Sequence, residues 1–365
     1  MNDAKDELPS RLIDLKELAR GRMESGAFDY YAGAAEDERT LAANRADFDR
    51  VEFRPRVLVD VSEIDTSIDL LGIRLPSPIC IAPTAFQKLA HSDGEIATAA
   101  AAARRGHLML ASTMATTTVE DIAKQAGPLW LQLYVFKDRA ISERLVRRAE
   151  AAGCTGICLT VDTPIQGKRE RDARNRFRLP DGLSVANFEG SIQGDLIGTA
   201  GGSALDNFIH SQFDPSISWK DVAWLRSLTE LPLILKGVAH PEDARIAVEE
   251  GVHGIVVSNH GGRQLDGAQS TIAALPDVVG AVQGRLPVLI DGGIRRGRHA
   301  AAALALGASA VLLGRPILWG LAAAGRAGVG HVLDVMDDEL RRTMGLLGVT
   351  RVSDLSPDVL APGRR

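Results

Sequence analysis

The chain has 365 residues, of which 45% are apolar and 24% charged, a balance typical of a globular protein with a sizeable core. Lys and Arg number 42 against 47 Asp and Glu, and the resulting net charge of −5 argues against a nucleic-acid backbone as the main partner. The three cysteines, Cys80, Cys154 and Cys158, are an odd number and lie in apolar runs, which indicates buried thiols in a reducing compartment. The polar start and the shortness of the apolar stretch 300–314 favour a cytoplasmic protein without a membrane segment.

Residues 1–76 predict a cap segment that flanks the main fold. Two stretches rich in helix formers, residues 11–20 and 36–48, are followed by the extended segment 51–64. Two short helices and one extended segment indicate a cap or a flanking layer and not a separate domain. We therefore expect this segment to pack against the rest of the chain.

From residue 77 onward, β-branched or leucine-rich runs alternate with alanine-rich helical stretches, which is the pattern of βα units around a parallel sheet. The predicted strands are residues 77–85, 108–113, 129–135, 156–162, 232–238, 254–260, 287–293 and 310–316. The predicted helices between them are residues 94–105, 139–152, 219–228, 242–250, 271–282 and 297–306. Eight such units predict an α/β fold of the (β/α)8 TIM barrel type. A doubly wound sheet is the alternative, but it requires a glycine-rich turn where the first strand ends in Ala82, Pro83, Thr84 and Ala85.

One long excursion, residues 163–218, follows the fourth predicted strand. Its part 179–207 is rich in Gly, Ser, Asn and Asp, and it leaves the face on which barrel enzymes place their sites, which favours an active-site lid. The barrel is expected to occupy residues 77–325, and residues 326–365 to form a C-terminal helical segment. Together they predict a single domain over residues 1–365.

The predicted strands end in polar, charged or glycine-rich residues. They are Pro83 and Thr84, Ser112, Gln132 with Tyr134, Thr160 with Asp162, Lys236, Ser258 to His260, Asp291 to Gly293, and Gly314 with Arg315. Because barrel interiors are filled by apolar packing, polar strand ends that converge on one mouth are expected of a site. Any single Ser or Thr in this set also suits a turn or a helix cap.

The last two strand ends predict a phosphate site. Gly292 and Gly293 let the backbone approach a ligand, and Arg295 and Arg315 add charge. In α/β barrels the loops after the last two strands often bind phosphate together with a helix N-terminus. An ordinary tight turn is the alternative reading of the two glycines.

His260 and its neighbours predict acid–base chemistry on a carboxylate. A histidine near neutral pH can accept a proton, and the guanidinium of Arg263, three residues later, can hold a carboxylate by two hydrogen bonds. Asp162 ends another strand at the same mouth and is placed to orient the imidazole. The eight histidines show no metal-ligand spacing, and the basic run 168–178 is interleaved with acids, so neither a metal site nor nucleic-acid binding is expected.

These residues also carry a family resemblance over nearly the whole chain. The segment Ser258 to Gln264 (SNHGGRQ) is the most specific motif, and shorter matches stand around Tyr30, Thr84, Gln132, Thr160, Lys236, Asp291 and Gly314. In these motifs the sequence resembles the FMN-dependent 2-hydroxy acid oxidising enzymes, which include glycolate oxidase, lactate oxidase and mandelate dehydrogenase. The resemblance implies a (β/α)8 barrel with FMN at its mouth and a homo-oligomer, a tetramer or an octamer.

Each functional role known in the family can be assigned to a matching residue of this chain. By the resemblance, His260 is the base with Asp162 behind it, Tyr134 lies near the reacting hydroxyl, and Lys236 stands by the flavin. The substrate would be bound by Tyr30, Arg169 and Arg263, with Met114 in its pocket. The cofactor would be held by Pro83, Thr84, Ala85, Ser112, Gln132, Thr160, Lys236, Ser258, Asp291, Gly293, Arg295, Gly314 and Arg315.

Met114 departs from the plant glycolate oxidases, which have a Trp there; this argues against glycolate itself and leaves room for a larger side chain on the substrate. The expected reaction is oxidation of an (S)-2-hydroxy acid to the 2-oxo acid with O2 as acceptor and H2O2 as product. A dehydrogenase with a quinone or protein acceptor is the first alternative. An FMN-dependent isomerase would need a diphosphate site in place of the Tyr30 and Arg263 clamp, and a flavin store would not need His260 or Asp162.

Overall fold

The computed structural model describes residues 8–188, 208 and 211–362. Eight parallel strands close into a barrel in the order β10-β3-β4-β5-β6-β7-β8-β9. The strands are β3 (Ile79–Ile81), β4 (Met109–Ser112), β5 (Leu129–Leu133), β6 (Ile157–Thr160), β7 (Leu233–Val238), β8 (Gly254–Val257), β9 (Val288–Ile290) and β10 (Ala310–Leu313). Each lies within a strand predicted from the sequence, which confirms the (β/α)8 fold.

Helices follow the strands on the outside of the barrel. They are α4 (Gly94–Arg105), α5 (Val119–Ala123), α6 (Arg139–Ala151), α7 (Glu170–Arg174), α8 (Trp219–Leu228), α9 (Pro241–Glu249), α10 (Thr271–Val282), α11 (Gly297–Ala305) and α12 (Arg315–Leu347). Local chemistry sets several boundaries: Asp138 caps α6 by accepting from the Ala140 N–H, and Ser218 forms a capping box with Asp221 at the start of α8. The predicted bounds of α4, α8 and α10 agree with the structure.

The N-terminal segment differs in detail from its prediction. It forms α1 (Asp14–Arg22), α2 (Ser25–Ala32) and α3 (Arg39–Ala46), where one helix over 11–20 and one over 36–48 were expected. Both ends of α1 were therefore misplaced, and α2, which carries Tyr30, was missed. The apolar residues of α2 are buried against the barrel, so tertiary packing stabilises a helix that its short, glycine-containing sequence does not specify.

A short hairpin that the sequence did not reveal closes the amino-terminal end of the barrel. Strands β1 (Ile68–Leu70) and β2 (Ile73–Leu75) pair antiparallel. Leu70 and Leu75 are buried in one cluster with Trp130 from the barrel interior. This plug seals the bottom of the barrel and leaves its opposite end as the accessible mouth.

The last helix begins earlier than expected. The eighth strand was predicted to reach residue 316, but β10 ends at Leu313 and α12 begins at Arg315, with only Gly314 between them. Non-helical backbone at Ala324 and Gly325 divides α12 into a barrel helix and a C-terminal helix. Proline is well tolerated in a first helical turn, and Pro316 stands in the first turn of α12.

The predicted lid is only partly described. Its root contains α7, while most of the glycine-rich part, residues 179–207, lies outside the described residues. Within the ranges that the structure describes, no helix is long and apolar enough to cross a membrane. No group of three or more His, Cys, Asp or Glu side chains among those same residues could hold a metal ion.

Candidate active site

A cavity at the carboxyl ends of the barrel strands collects most of the predicted site residues. Every one of the eight strands or its following loop contributes to the wall. The predicted residues that line it are Tyr30, Pro83, Thr84, Ala85, Ser112, Met114, Gln132, Tyr134, Thr160, Arg169, Lys236, His260, Arg263, Asp291, Gly293, Arg295, Gly314 and Arg315. Asp162 and Ser258 stand behind this wall, where each contacts a residue that lines it.

His260 and Asp162 form a buried pair. The imidazole Nδ1–H of His260 donates to Asp162 Oδ1 at 2.9 Å, which leaves Nε2 as the ring nitrogen available to a ligand. Burial lowers the pKa of His260, and the facing carboxylate only partly offsets this. Burial also opposes ionisation of Asp162, but the imidazole and its hydrogen bond outweigh it and lower the pKa of that carboxyl. The pair is therefore a neutral base backed by an ionised carboxylate.

Lys236 is held by a second buried carboxylate. Its Nζ lies 2.8 Å from Asp291 Oδ2 and donates to Ser258 Oγ at 2.9 Å. Burial opposes the charged form, but Asp291 and then Asp162 outweigh it and raise the pKa of Lys236. The lysine therefore keeps its positive charge inside the cavity.

Two arginines and two tyrosines gather on the side of the cavity next to His260. Arg169 is 6% exposed and its Nε has no hydrogen-bond partner among the described residues. Burial and then the neighbouring Arg263 lower the pKa of Arg169 to about 10. Burial raises the pKa of both Tyr30 and Tyr134, so their hydroxyls remain donors. An anion here would receive hydrogen bonds that the protein itself does not use.

A second cationic region lies at the ends of β9 and β10. Arg295 and Arg315 line the cavity there, and burial lowers the pKa of Arg295 to about 10. Gly293 has φ +79°, and a Cβ on it would collide with the backbone oxygen of Asn44. Gly314 precedes the N-terminus of α12, whose free backbone N–H groups favour an anion.

Arg315 has partners that the sequence did not suggest. Its Nε donates to the Tyr31 oxygen at 2.7 Å, Nη1 to the Gly261 oxygen at 3.0 Å and Nη2 to the Gly33 oxygen at 2.8 Å. Five N–H groups are available on a guanidinium, so some remain for a ligand. Arg315 thus braces the loop after α2 against the His260 loop.

Amides and hydroxyls line the strand ends between these charges. Gln132 Nε2 donates to Thr160 Oγ1 at 3.0 Å, and Ser112 Oγ donates to Gln132 Oε1 at 3.3 Å. Thr84 Oγ1 accepts from Gln87 Nε2 at 3.0 Å. These contacts orient side chains on β3 to β6 without placing a charge there.

Sequence reasoning missed a buried carboxylate that supports this wall. Glu95, in the first turn of α4, is fully buried and accepts from the backbone N–H groups of Gln87 at 3.0 Å and Thr116 at 2.8 Å. It ties the loop after β3 to the loop after β4. Nothing in its helical context distinguishes it from a surface glutamate, because the two loops it bonds are brought together only by barrel closure.

The charges of the cavity are unbalanced. Its lining cations are Arg169, Lys236, Arg263, Arg295 and Arg315, whereas Asp291 is its one lining carboxylate among the described residues. Buried cations without counter-charges are unfavourable, so the cavity is suited to anionic ligands. The cations extend from the side of the cavity near His260 to the N-terminus of α12, and Arg263 and Arg315 meet between these ends at the Gly33 oxygen.

Comparison with known proteins agrees with this geometry. Residues 19–362 match the model of a family described as FMN-dependent dehydrogenase. The chain belongs to the FMN-dependent dehydrogenase family. Among this family's curated members, glycolate oxidase 1 of Zea mays is 50% identical over 95% of this chain and 94% of its own length. An L-lactate oxidase of Nostoc sp. is 49% identical over 96% of this chain and 98% of its own.

A solved structure within the family shares the fold closely. The crystal structure of mandelate oxidase with (S)-4-hydroxymandelic acid superposes with a TM-score of 0.93 at 44% identity, covering 95% of this chain and 97% of that chain. The residues of the cavity fit the FMN that defines the family. Arg295, Arg315 and the α12 N-terminus suit its phosphate, and the polar strand ends with Lys236 suit a ring that has hydrogen-bonding edges.

Proposed function

We propose that the protein oxidises an (S)-2-hydroxy acid to the corresponding 2-oxo acid and passes the two electrons to O2, giving H2O2. The observation that carries the proposal is the neutral His260 backed by Asp162 and facing the same cavity as Arg169 and Arg263. Oxidation of a hydroxy acid needs a base, a site for the carboxylate and an electron acceptor. The oxidase names of the similar proteins from Zea mays and Nostoc support O2 as the acceptor.

Each residue has a distinct task in the proposed reaction. Nε2 of His260 takes a proton from the substrate, and Asp162 stabilises the imidazolium that results. Arg169 and Arg263 bind the carboxylate together with the Tyr30 hydroxyl, while Tyr134 donates to the substrate oxygen. FMN, when bound, supplies the two-electron acceptor.

The chain's own residues are arranged to hold that cofactor. We assign the phosphate to Arg295, Arg315, Gly293, Gly314 and the α12 N-terminus. The ring and ribityl contacts are assigned to Pro83, Thr84, Ala85, Ser112, Gln132, Thr160, Lys236, Ser258 and Asp291. Lys236 favours negative charge on its bound partner because Asp291 keeps the lysine charged in spite of its burial.

The substrate carries a side chain larger than that of glycolate in this proposal. Met114 is 4% exposed and lines the cavity, as does Phe213, whose ring lies 4.4 Å from that of Tyr134. A flexible thioether beside an aromatic pair adapts to apolar groups of various shapes. The mandelate oxidase that shares the fold was crystallised with (S)-4-hydroxymandelic acid, an aromatic 2-hydroxy acid, which supports a substrate with a large side chain here too.

We also expect a homotetramer or octamer in the cytoplasm. Val57 and Leu58 are 81% and 104% exposed. Leu346 is 72% exposed and lies at the end of α12, which is hydrogen-bonded to the segment that carries Val57 and Leu58. Exposed apolar clusters of this kind favour burial between subunits. The three buried, unbridged cysteines support a reducing compartment.

Peroxide release tests the proposal. Purified FMN-loaded protein is mixed in air with a panel of (S)-2-hydroxy acids from glycolate to mandelate, and H2O2 is followed by a peroxidase-coupled assay. We expect peroxide and 2-oxo acid in equal amounts with at least one member of the panel. Reduction of the flavin without peroxide would favour the dehydrogenase alternative, and no reduction at all would reject the reaction.

A further inference from the structure

A reciprocal pair of amides joins the cap helix α3 to the loop that carries His260. Asn44 Nδ2 donates to Asn259 Oδ1 at 2.8 Å, and Asn259 Nδ2 donates to Asn44 Oδ1 at 2.8 Å. The residues are 1% and 9% exposed. Since a broken hydrogen bond between buried amides leaves both groups unsatisfied, this contact strongly fixes their relative position.

The side-chain amide of Asn259 uses all of its donors and acceptors. Asn259 Oδ1 also accepts from the Gly262 N–H at 3.1 Å, and Asn259 Nδ2 also donates to the Gln269 oxygen at 3.1 Å. Asn44 Oδ1 accepts in addition from the Thr271 N–H at 3.2 Å. The amide of Asn259 therefore has one orientation in which all of its donors and acceptors are satisfied, and Asn44, the Gly262 N–H and the Gln269 oxygen define that orientation together.

The loop held in this way is strained. His260 has φ +56°, followed by Gly261 at +66° and Gly262 at +78°. A non-glycine residue in the left-handed region persists only where the surrounding structure holds it. Several contacts hold it here: Ser258 Oγ accepts the His260 N–H at 3.1 Å, Asn259 accepts the Gly262 N–H through its backbone oxygen at 2.9 Å and its side chain at 3.1 Å, and Arg315 donates to the Gly261 oxygen.

We propose that Asn44 is a positioning residue for the reaction, which acts through Asn259 to hold the turn at His260. The turn places His260 Nδ1 on Asp162 and leaves Nε2 for the substrate. Without Asn44, the Asn259 amide loses one of its three partners, its contact to the Gly262 N–H is weakened, and the imidazole is less firmly held in the reacting geometry. The inference rests on the proposed function for its rate effect, but the loop it describes exists without substrate.

Loss of the Asn44 side chain should slow the reaction at His260 without weakening FMN binding. Asn44 faces Gly293 of the phosphate loop through its backbone oxygen, which a side-chain substitution retains, and its Nδ2, which lies near Gly292, donates to Asn259 and not to that loop. Misplacement of a reacting group by about 1 Å can cost about 100-fold in rate. For Asn44→Ala we expect the rate constant of flavin reduction to fall at least about 10-fold, with the substrate Kd and the FMN Kd each within about threefold of the parent values.

Thr40→Val provides a matched control. Thr40 lies on the same helix, is 1% exposed and donates through Oγ1 to the Leu265 and Ala268 oxygens at 3.4 and 3.2 Å, without contact to Asn259. It therefore reports the cost of losing a buried cap contact that does not involve the amide pair. If Asn44→Ala does not yield folded protein, Asn44→Ser, which keeps an oxygen near the Thr271 N–H, replaces it.

Two measurements separate positioning from general loosening. Hydrogen exchange of the FMN-loaded protein without substrate should be faster over residues 258–264 in Asn44→Ala and unchanged there in Thr40→Val. Anaerobic stopped-flow should show that Asn259→Ala slows flavin reduction at least as much as Asn44→Ala, and that the double variant is no slower than Asn259→Ala, because Asn44 acts only through the Asn259 amide. Additive losses, a rate within threefold of Thr40→Val, or unchanged exchange over 258–264 would each overturn the proposal. A parent that no 2-hydroxy acid reduces would instead reject the proposed function and leave the exchange result to test the loop.

Discussion

Arg263 donates through Nη1 to the backbone oxygen of Tyr30 at 2.6 Å, and its guanidinium carbon lies 4.8 Å from the centre of the Tyr30 ring. The same Nη1 donates to the Gly33 oxygen at 2.9 Å. The arginine is thus anchored by one nitrogen to the end of α2, and its remaining N–H groups are left for a ligand. This anchoring gives the planar group a fixed orientation that a flexible side chain lacks.

Arg263→Lys should therefore lose orientation while it keeps the charge. A lysine offers a point charge on a flexible stem and cannot make the contacts to Tyr30 and Gly33 while binding a carboxylate. We expect kcat/KM for the best 2-hydroxy acid to fall roughly 100-fold or more. Steady-state peroxide formation at several substrate concentrations measures it.

The methyl ester of the same substrate is the control for that prediction. In the parent protein the acid should reduce the flavin much faster than the ester, and in Arg263→Lys the two should become more alike. Equal rates with acid and ester in the parent would show that no carboxylate clamp exists, and would remove the roles proposed for Arg169 and Tyr30 as well.

His260→Ala should retain FMN but react slowly. The imidazole contributes no charge to the region of Arg295 and Arg315, whereas loss of a general base typically costs about 100- to 10,000-fold. We expect a yellow protein whose flavin is reduced by substrate at least 100-fold more slowly. Anaerobic stopped-flow measures this rate, and a near-normal value would assign the base elsewhere.

Substitutions at Lys236 and Asp291 should separate the stability of the protein from its rate of flavin reduction. Lys236→Met leaves Asp291 buried without its counter-charge, which should cost about 3–5 kcal/mol in the free energy of unfolding. Adding Asp291→Asn should restore much of that stability but not the rate of flavin reduction, because the cation remains absent. Denaturant unfolding and stopped-flow on the parent, Lys236→Met and the double variant test this. Recovery of the rate in the double variant would show that the charge of Lys236 is dispensable.

The bottom of the barrel carries a pH-dependent contact. His107 is 1% exposed, and its two ring nitrogens face acceptors, Nδ1 the Ile79 oxygen at 2.7 Å and Nε2 Asp337 Oδ2 at 3.0 Å. Two acceptors favour the doubly protonated ring, and although burial opposes it, Asp337 and the carbonyl raise the pKa of His107. The resulting stability is fully present below the unfolded pKa of about 6.5 and is lost as pH rises through the higher folded pKa.

Asp337→Asn should reveal this dependence. We expect it to lower the free energy of unfolding by about 1.5–3 kcal/mol at pH 5.5 and by less at pH 9. Ser77→Ala is the control, because Ser77 Oγ donates to the other oxygen of Asp337 at 2.6 Å and carries no titrating group. Its cost should vary less with pH than that of Asp337→Asn. Equal losses at both pH values for Asp337→Asn would show that His107 is neutral throughout.

The barrel could be predicted because each of its strands carries its own signal. A short apolar run before an alanine-rich helix, repeated eight times, specifies parallel strands, and the polar residues at the strand ends then specify a common mouth. The hairpin Ile68–Leu75 gave no such signal, since its strands have three residues each and are stabilised by packing on Trp130.

The residues that support the cavity wall from behind could not be predicted from the sequence. Asn44 and Asn259 are 215 residues apart, and only barrel closure with the cap brings them together. Likewise, the family resemblance predicts Ser258 among the cofactor contacts. In the structure its hydroxyl oxygen accepts hydrogen bonds from the Lys236 ammonium and from the His260 N–H. A direct contact of Ser258 with the cofactor remains a prediction.

Anaerobic mixing of the FMN-loaded protein with an (S)-2-hydroxy acid, followed by admission of air, tests the central claim most directly. The account predicts complete loss of the oxidised flavin absorbance, its return in air, and formation of one equivalent each of 2-oxo acid and H2O2. A flavin that stays oxidised with every 2-hydroxy acid from glycolate to mandelate would contradict it.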